Sequence, residues 1–162
     1  MTAHAGNSTE VRTSVDVTVA PEVAFDVFTT GIDRWWNREH HLLSGELKEV
    51  GVEPRSGGRL WEENEAGEIC TWGRVLTWDP PRTFAFSWLI SVDFSVPTPD
   101  AVGSRVTVTF TPTASGTQVT LVHDQFENHG PGWENMRDGV GSEGGWPSGI
   151  RRYAEVAETS QS

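Results

Sequence analysis

The chain has 162 residues, a formal net charge of −11, one cysteine and eight tryptophans. This length suits a single domain whose hydrophobic core needs no disulfide. The acidic charge argues against nucleic acid or an anionic membrane surface as a partner, because both repel an acidic protein. One cysteine excludes an internal disulfide, and no segment has the pattern of a secretory signal or a membrane span, so we expect a cytoplasmic protein.

The first part of the chain predicts a tail, a strand and two short helices. Residues 1–10 are small and polar, which is typical of a disordered tail. Valines alternate over residues 12–19 and indicate a strand. Pro21 suits the first turn of a helix that ends at Gly31, and a second short helix is predicted over residues 32–36. The apolar residues of the first helix that we expect to be buried are Ala24, Phe25, Val27 and Phe28.

A strand within residues 43–52 leads into three strands between residues 57 and 90. Turn-forming residues at 64–67 and 79–82 separate these three strands. Glu62 shares a face with Leu60 in the first of them, because alternate residues of a strand point the same way. In the second strand, one face is predicted to carry Cys70, Trp72, Arg74, Leu76 and Trp78. In the third strand, the aromatic face carries Phe84, Phe86, Trp88 and Ile90.

The last part of the chain predicts two more strands and a broken helical region. A proline-containing loop follows residue 90 and is long enough to form a rim or lid. Residues 105–110 and 118–124 alternate as strands, and their apolar faces place His123 on the core side. The terminal helix would bury Ile150, Tyr153, Ala154 and Ala157. Strands flanked by helices predict one α+β domain over residues 11–158, with a second disordered tail at 159–162.

The most promising site combines three polar side chains with a group of aromatic ones. Strand parity can place Glu62, Arg74 and His123 on the concave face of the sheet. Polar groups in an aromatic wall would orient a small ligand, and His123 or Glu62 could act as an acid or base. The alternative is a buried Glu62–Arg74 pair and a satisfied His123 that only stabilise the fold. The aromatic residues of this predicted binding site are Trp72, Phe86, Trp88, Trp146 and Tyr153.

Three further motifs favour structural roles. Adjacent histidines at His40 and His41 point in opposite directions in an extended segment, so no metal site is expected. The G-x-G-x-x-G pattern at 139–144 follows a helical segment rather than a strand, which indicates a joint between two helices and no nucleotide cofactor. Cys70 lies in mid-strand without a partner that would activate it, which favours a buried structural thiol.

A series of short motifs spans nearly the whole chain from residue 11. In chain order they are Val-Ala-Pro-Glu-Val-Ala-Phe at 19–25, Trp35-Trp36, Glu-Pro-Arg at 53–55, Gly-Gly-Arg at 57–59, Trp-Gly-Arg-Val at 72–75, Trp-Asp-Pro-Pro at 78–81, Leu-Val-His at 121–123, Gly-Trp-Pro at 145–147 and Tyr153. Their order resembles the SRPBCC (START/Bet v 1-like) superfamily, and within it the bacterial homologues of the heat-shock-protein-90 ATPase activator. The resemblance implies a helix-grip fold, in which a curved antiparallel β-sheet wraps around a C-terminal α-helix, with two short helices after the first strand.

The resemblance implies a fold more directly than an activity, because one fold hosts many functions. We expect an apolar or aromatic small molecule to bind in a cavity between the sheet and the C-terminal helix, without a cofactor. One alternative is a cyclase, dehydratase or hydrolase that acts on a polyketide-like substrate in the same cavity. Another is a co-chaperone-like module that binds a protein through its surface. The sequence also permits a homodimer.

Overall fold

Residues 10–98 and 101–160 are described in the computed structural model of the chain. Within these residues, seven antiparallel strands form one curved sheet in the order β1-β7-β6-β5-β4-β3-β2, accompanied by three α-helices. The predicted α+β helix-grip architecture is confirmed. Of the two predicted tails, residues 1–9 and 161–162 lie outside the described residues.

The elements follow the predicted order, with bounds that differ by a few residues. The strands are β1 (Val11–Val17), β2 (Leu47–Val52), β3 (Arg59–Asn64), β4 (Ile69–Asp79), β5 (Thr83–Trp88), β6 (Ser104–Thr113) and β7 (Gly116–Asp124). The α-helices are α1 (Pro21–Phe28), α2 (Trp133–Gly141) and α3 (Trp146–Glu158), and single 3₁₀ turns cover Ile32–Arg34 and Phe126–His129. The second helix is thus shorter than predicted, because the chain leaves helical geometry at Trp35.

The C-terminal helix α3 lies across the sheet and packs against β1 and α1. Its predicted apolar stripe is confirmed, since Ile150, Tyr153 and Ala157 are buried and Ala154 is half-buried. The Tyr153 hydroxyl donates a hydrogen bond of 2.8 Å to the carbonyl oxygen of Ala24 in α1. This bond satisfies two buried polar groups where the two helices meet, as buried polar groups require.

Two β-bulges in β4 alter the predicted assignment of side chains to faces. Opposite β3, Thr71 pairs with Trp61 and Gly73 pairs with Leu60, so Trp72 is an extra residue. Opposite β5, a second irregularity falls at Leu76. Because a bulge reverses the alternation beyond it, the residues between the two bulges face the opposite way. Cys70, Trp72 and Trp78 point inward as predicted, whereas the inward placement of Arg74 and Leu76 is wrong, since both are exposed.

Candidate functional site

A cavity of about 430 Å³ lies between the sheet and α3. The concave faces of β3, β4 and β5 form one side of it, and α3 forms the other. Irregular segments complete it, one from Trp35 to Leu42 and one around the joint between α2 and α3. Its volume falls in the range of roughly 300–1,000 Å³ that is usual for sites of small organic ligands.

Five of the eight tryptophans line this cavity, namely Trp35, Trp36, Trp72, Trp88 and Trp146. The rings of Trp36 and Trp72 are stacked, with centroids 5.1 Å apart and planes inclined by 30°. Trp72 meets Trp88 edge to face at 5.6 Å, and Trp88 meets Trp146 in the same way at 5.5 Å. These separations are favourable for aromatic pairs, so the indoles form a continuous apolar surface that we call the indole wall.

Four of the five indole N–H groups of this wall have partners within the protein. Trp35 donates to the carbonyl oxygen of Val27, and Trp36 donates to that of His40, both at 3.0 Å. Trp88 donates to the sulfur of Met136 at 3.3 Å, and Trp146 donates to His123 at 3.0 Å. These bonds fix the orientation of the four rings, and a ligand would therefore meet ring surface more than N–H donors.

The loop between β5 and β6 contributes an exposed aromatic residue to the rim of the cavity. Phe94, in the loop between β5 and β6, is 42% exposed and has a φ of 61°, in the left-handed region. Its ring lies against Gly139, where an added Cβ would sit 2.5 Å from the ring. A side chain at position 139 would therefore displace the Phe94 ring from this contact. The predicted rim loop thus reaches across to the end of α2.

Charged and titratable groups also lie at the rim. Arg152 lines the cavity and its Nε donates to the carbonyl oxygen of Trp35 at 3.2 Å. Burial lowers the pKa of His40. The charge of Glu39 raises this pKa, and the charge of Arg152 lowers it. Within the described part of the chain, no three residues of the metal-binding types His, Cys, Asp and Glu converge on one point.

Glu62 supplies a buried carboxylate to the cavity lining. It is 3% exposed and lies in β3, where its predicted inward orientation is confirmed. Its Oε1 accepts a hydrogen bond from the backbone N–H of Leu42 at 3.0 Å, and its Oε2 accepts from Leu42 and Leu43, both at 2.9 Å. The carboxylate therefore holds the 42–43 segment against β3, and the pair with Arg74 that was considered as the alternative does not form.

His123 lies behind the indole wall and not on the surface of the cavity. It is fully buried, and its ring stacks on Phe126 with centroids 4.4 Å apart. Because an indole N–H can only donate, the bond from Trp146 to Nδ1 leaves that nitrogen without a proton. The neutral imidazole then carries its proton on Nε2 and donates to Ser104 Oγ at 2.7 Å.

The hydrogen-bond chain continues beyond Ser104. The Ser104 hydroxyl donates to Nε2 of His129 at 2.8 Å. The donors therefore follow one direction, from Trp146 through His123 and Ser104 to His129, and both nitrogens of His123 are occupied. Burial, aided by the neighbouring His129, lowers the pKa of His123 to about 3. His123 is therefore neutral near pH 7 and serves to hold Trp146, which disfavours the predicted acid–base role.

Three other predicted site residues also lie outside the cavity lining. Arg74 is on the convex side of the sheet because it lies between the two bulges of β4. Phe86 and Tyr153 are buried in the core. Burial raises the pKa of Tyr153 above its ordinary value. Burial and the charge of Glu62 raise the pKa of Cys70 to about 11, in keeping with the predicted structural thiol.

The family model of the Activator of Hsp90 ATPase homolog 1-like protein matches residues 18–157. The chain belongs to this family. The match begins directly after β1 and covers β2 to β7 and the three α-helices up to Ala157, so it includes every residue that lines the cavity. The sequence-based resemblance to the homologues of the heat-shock-protein-90 ATPase activator, within the SRPBCC superfamily, is thereby confirmed.

Several solved structures are similar to this member of the family over almost its full length. The anthrahydroquino-γ-pyrone synthase Txn09 is 37% identical, with 92% of this chain and 97% of that chain covered and a TM-score of 0.62. The self-sacrificing resistance protein CalC from Micromonospora echinospora is 28% identical, with 94% and 96% covered and a TM-score of 0.67. A protein of Nitrosomonas europaea at 17% identity has a TM-score of 0.64, with 91% and 93% covered, and shares the fold. The search of curated proteins found no match.

Several lining residues of this family member escaped the sequence analysis. They are Trp35, Trp36, Leu42, Ile90, Phe94, Val140, Ser148 and Arg152, together with His40 and His41, which were considered only as metal ligands. Most of them lie in irregular segments, where no periodicity assigns a face. The adjacent Trp35-Trp36 pair was the available signal, because two large aromatic residues are costly to expose at a loop.

None of the described helices is long and apolar enough to cross a membrane.

Proposed function

We propose that this protein binds a planar aromatic small molecule in the cavity between the sheet and α3. The indole wall is the observation that carries this proposal. Aromatic faces stack favourably on planar rings, and four of the five indoles are already held by a hydrogen bond of their own. A preformed wall lowers the entropy cost of binding, because few side chains need to be ordered by the ligand.

Quenching of the intrinsic tryptophan fluorescence tests the proposal directly. The probes are flavone and 2-hydroxyanthraquinone, with octanoate as a flexible, non-aromatic comparison. We expect saturable quenching by the two planar probes, with dissociation constants in the range of about 1–100 μM, and none by octanoate. Absence of saturable binding by both planar probes would contradict the proposal.

A matched pair of variants locates the binding site. Trp36 is half-buried and lines the cavity, whereas Trp133 is half-buried on α2 and does not line it. Loss of one stacking ring should weaken binding about 10-fold, so Trp36→Ala should show this loss by calorimetry and Trp133→Ala should not. Equal affinities in the two variants would place the ligand elsewhere.

A second candidate function is a ring-closing enzyme that acts in the same cavity. It is favoured by the 37% identity to a protein described as an anthrahydroquino-γ-pyrone synthase, and by the buried carboxylate among the aromatic rings. In a cyclodehydration, a phenolic oxygen of the substrate forms a bond to the carbon that bears the enol hydroxyl of a 1,3-diketone, and the bond from that carbon to the enol hydroxyl breaks. Glu62 would accept the hydroxyl proton and return it to the hydroxyl group that leaves as water, so that Glu62 is regenerated.

Turnover of a model compound with a phenol next to a 1,3-diketone side chain tests this second function. The product has one more ring and one water less, which mass spectrometry detects. We expect Glu62→Gln to lose turnover and Glu63→Gln, at the next position of β3 and outside the cavity lining, to keep it. Absence of turnover in an unmodified protein that still binds the compound would contradict the ring-closing function and leave binding as the only proposed function.

A further inference from the structure

We propose that the cavity selects aromatic ligands that carry a hydrogen-bond donor, and that Oε1 of Glu62 is the atom that receives it. This inference rests on the proposed function and adds to it the chemical class of the ligand, a neutral aromatic with a hydroxyl or N–H group. It follows from which hydrogen-bonding positions of the Glu62 carboxylate are occupied and which remain open.

The hydrogen bonds of Glu62 leave one of its two oxygens partly unused. A carboxylate has about four acceptor positions, two on each oxygen. Oε2 accepts two backbone N–H groups, from Leu42 and Leu43, whereas Oε1 accepts only the N–H of Leu42, which it shares with Oε2. One position on Oε1 is therefore available on a residue that lines the cavity.

No cation lies within ion-pair distance of this carboxylate among the described residues. None of the ion pairs among residues 10–98 and 101–160 includes Glu62, and Arg74 points to the other side of the sheet. A buried charged acceptor with incomplete hydrogen bonding is costly, and a ligand donor would remove part of that cost. Hydrogen bonds to charged groups are stronger than neutral ones, so this contact should discriminate clearly.

The indole wall increases this discrimination. Four of its five rings use their N–H groups on protein acceptors, so the wall gives a ligand mainly apolar contacts. Glu39 also lines the cavity, but it is exposed at the rim, where water competes for its oxygens. Of the two carboxylates in the lining, Glu62 is thus the one whose acceptor position is protected from solvent.

Three ligands of one ring system test the proposal at about pH 7 by calorimetry. 2-Naphthol carries the donor, while naphthalene and 2-methoxynaphthalene lack it and bracket its size. We expect 2-naphthol to bind about 10- to 100-fold more tightly than either, as a hydrogen bond to a charged acceptor implies. Equal affinity of 2-naphthol and 2-methoxynaphthalene would overturn the proposal, and this comparison needs no variant.

Two variants then assign the preference to one residue. Glu62→Gln keeps the shape of the side chain but replaces one oxygen by an N–H donor, so the preference for 2-naphthol should fall to about 3-fold or less. Glu63→Gln, at the next position of β3 and outside the cavity lining, is the matched control and should keep the full preference. A full preference retained in a folded Glu62→Gln protein would overturn the assignment. Failure of all three ligands to bind would instead contradict the aromatic-binding function itself, and the two failures are therefore distinguishable.

Discussion

Acidification should destabilise this protein through His123, well above the pH at which carboxylates are protonated. In the folded state, His123 has a pKa of about 3, because its ring is buried and lies near His129. In the unfolded chain, a histidine has its ordinary pKa of roughly 6.5. Between these two values the unfolded chain binds a proton that the folded protein does not, so stability is present above the upper value and is lost as the pH falls below it.

The size of the effect follows from the separation of the two pKa values. Each pH unit between them costs about 1.4 kcal/mol in the free energy of unfolding. From about pH 7.5 to pH 5, this amounts to roughly 2 kcal/mol for His123 alone. His129 and His40 act in the same direction, since burial lowers the pKa of each. Glu53 and Asp93, whose pKa values are lowered by hydrogen bonds, contribute only at lower pH.

Urea unfolding of the protein and of two variants measures this contribution. His123→Asn retains an oxygen acceptor near Trp146 but does not titrate. The change in its free energy of unfolding from about pH 7.5 to pH 5 should therefore be about 2 kcal/mol smaller than that of the unmodified protein. Gln118→Asn changes an exposed residue of the same strand, β7, without altering a titratable group, and should leave the dependence unchanged. The reasoning is refuted if the stability difference between the unmodified protein and His123→Asn stays constant from about pH 7.5 to pH 5.

Three further predictions concern single residues. Cys70 is buried and its pKa is raised to about 11, so a thiol reagent should modify it only after unfolding; rapid labelling of the native protein, followed by absorbance, would contradict this. Tyr153→Phe removes the hydrogen bond to Ala24, so urea unfolding should show a loss of about 1–2 kcal/mol, and an unchanged midpoint would show that the bond is not stabilising. Phe94→Ala opens the rim of the cavity, so flavone should dissociate several-fold faster in stopped-flow experiments, whereas equal rates would exclude a barrier at this ring.

The sheet could be predicted well because alternation is a local property of the sequence. Val106, Val108, Val119 and Leu121 alternate with polar residues in β6 and β7, and all four are buried. The same rule failed at Arg74, where two bulges in β4 invert the faces over a few residues and then restore them. A bulge adds one residue relative to the neighbouring strand, and this mismatch is visible only once the pairing is known.

The candidate site was only partly predictable, because it depends on segments that lack periodicity. Glu62, Trp72, Trp88 and Trp146 line the cavity as expected from parity and composition. The partners of Glu62 were not predictable, since they are backbone N–H groups of the 42–43 segment rather than a charged side chain. Parity also placed His123 on the core side correctly, but it could not show that the ring of Trp146 would lie between His123 and the cavity.

The arrangement of charge around the cavity also bears on which aromatic compounds can enter it. The chain carries a net charge of −11, and the buried lining contributes the carboxylate of Glu62. An anionic group placed beside this carboxylate would add like-charge repulsion in a poorly solvated site, where such repulsion is strong. A neutral hydroxyl or N–H group would instead complete the hydrogen bonds of Oε1. An anionic substituent is therefore compatible with binding only if it lies toward Arg152 at the rim, with the uncharged end of the ring system toward Glu62.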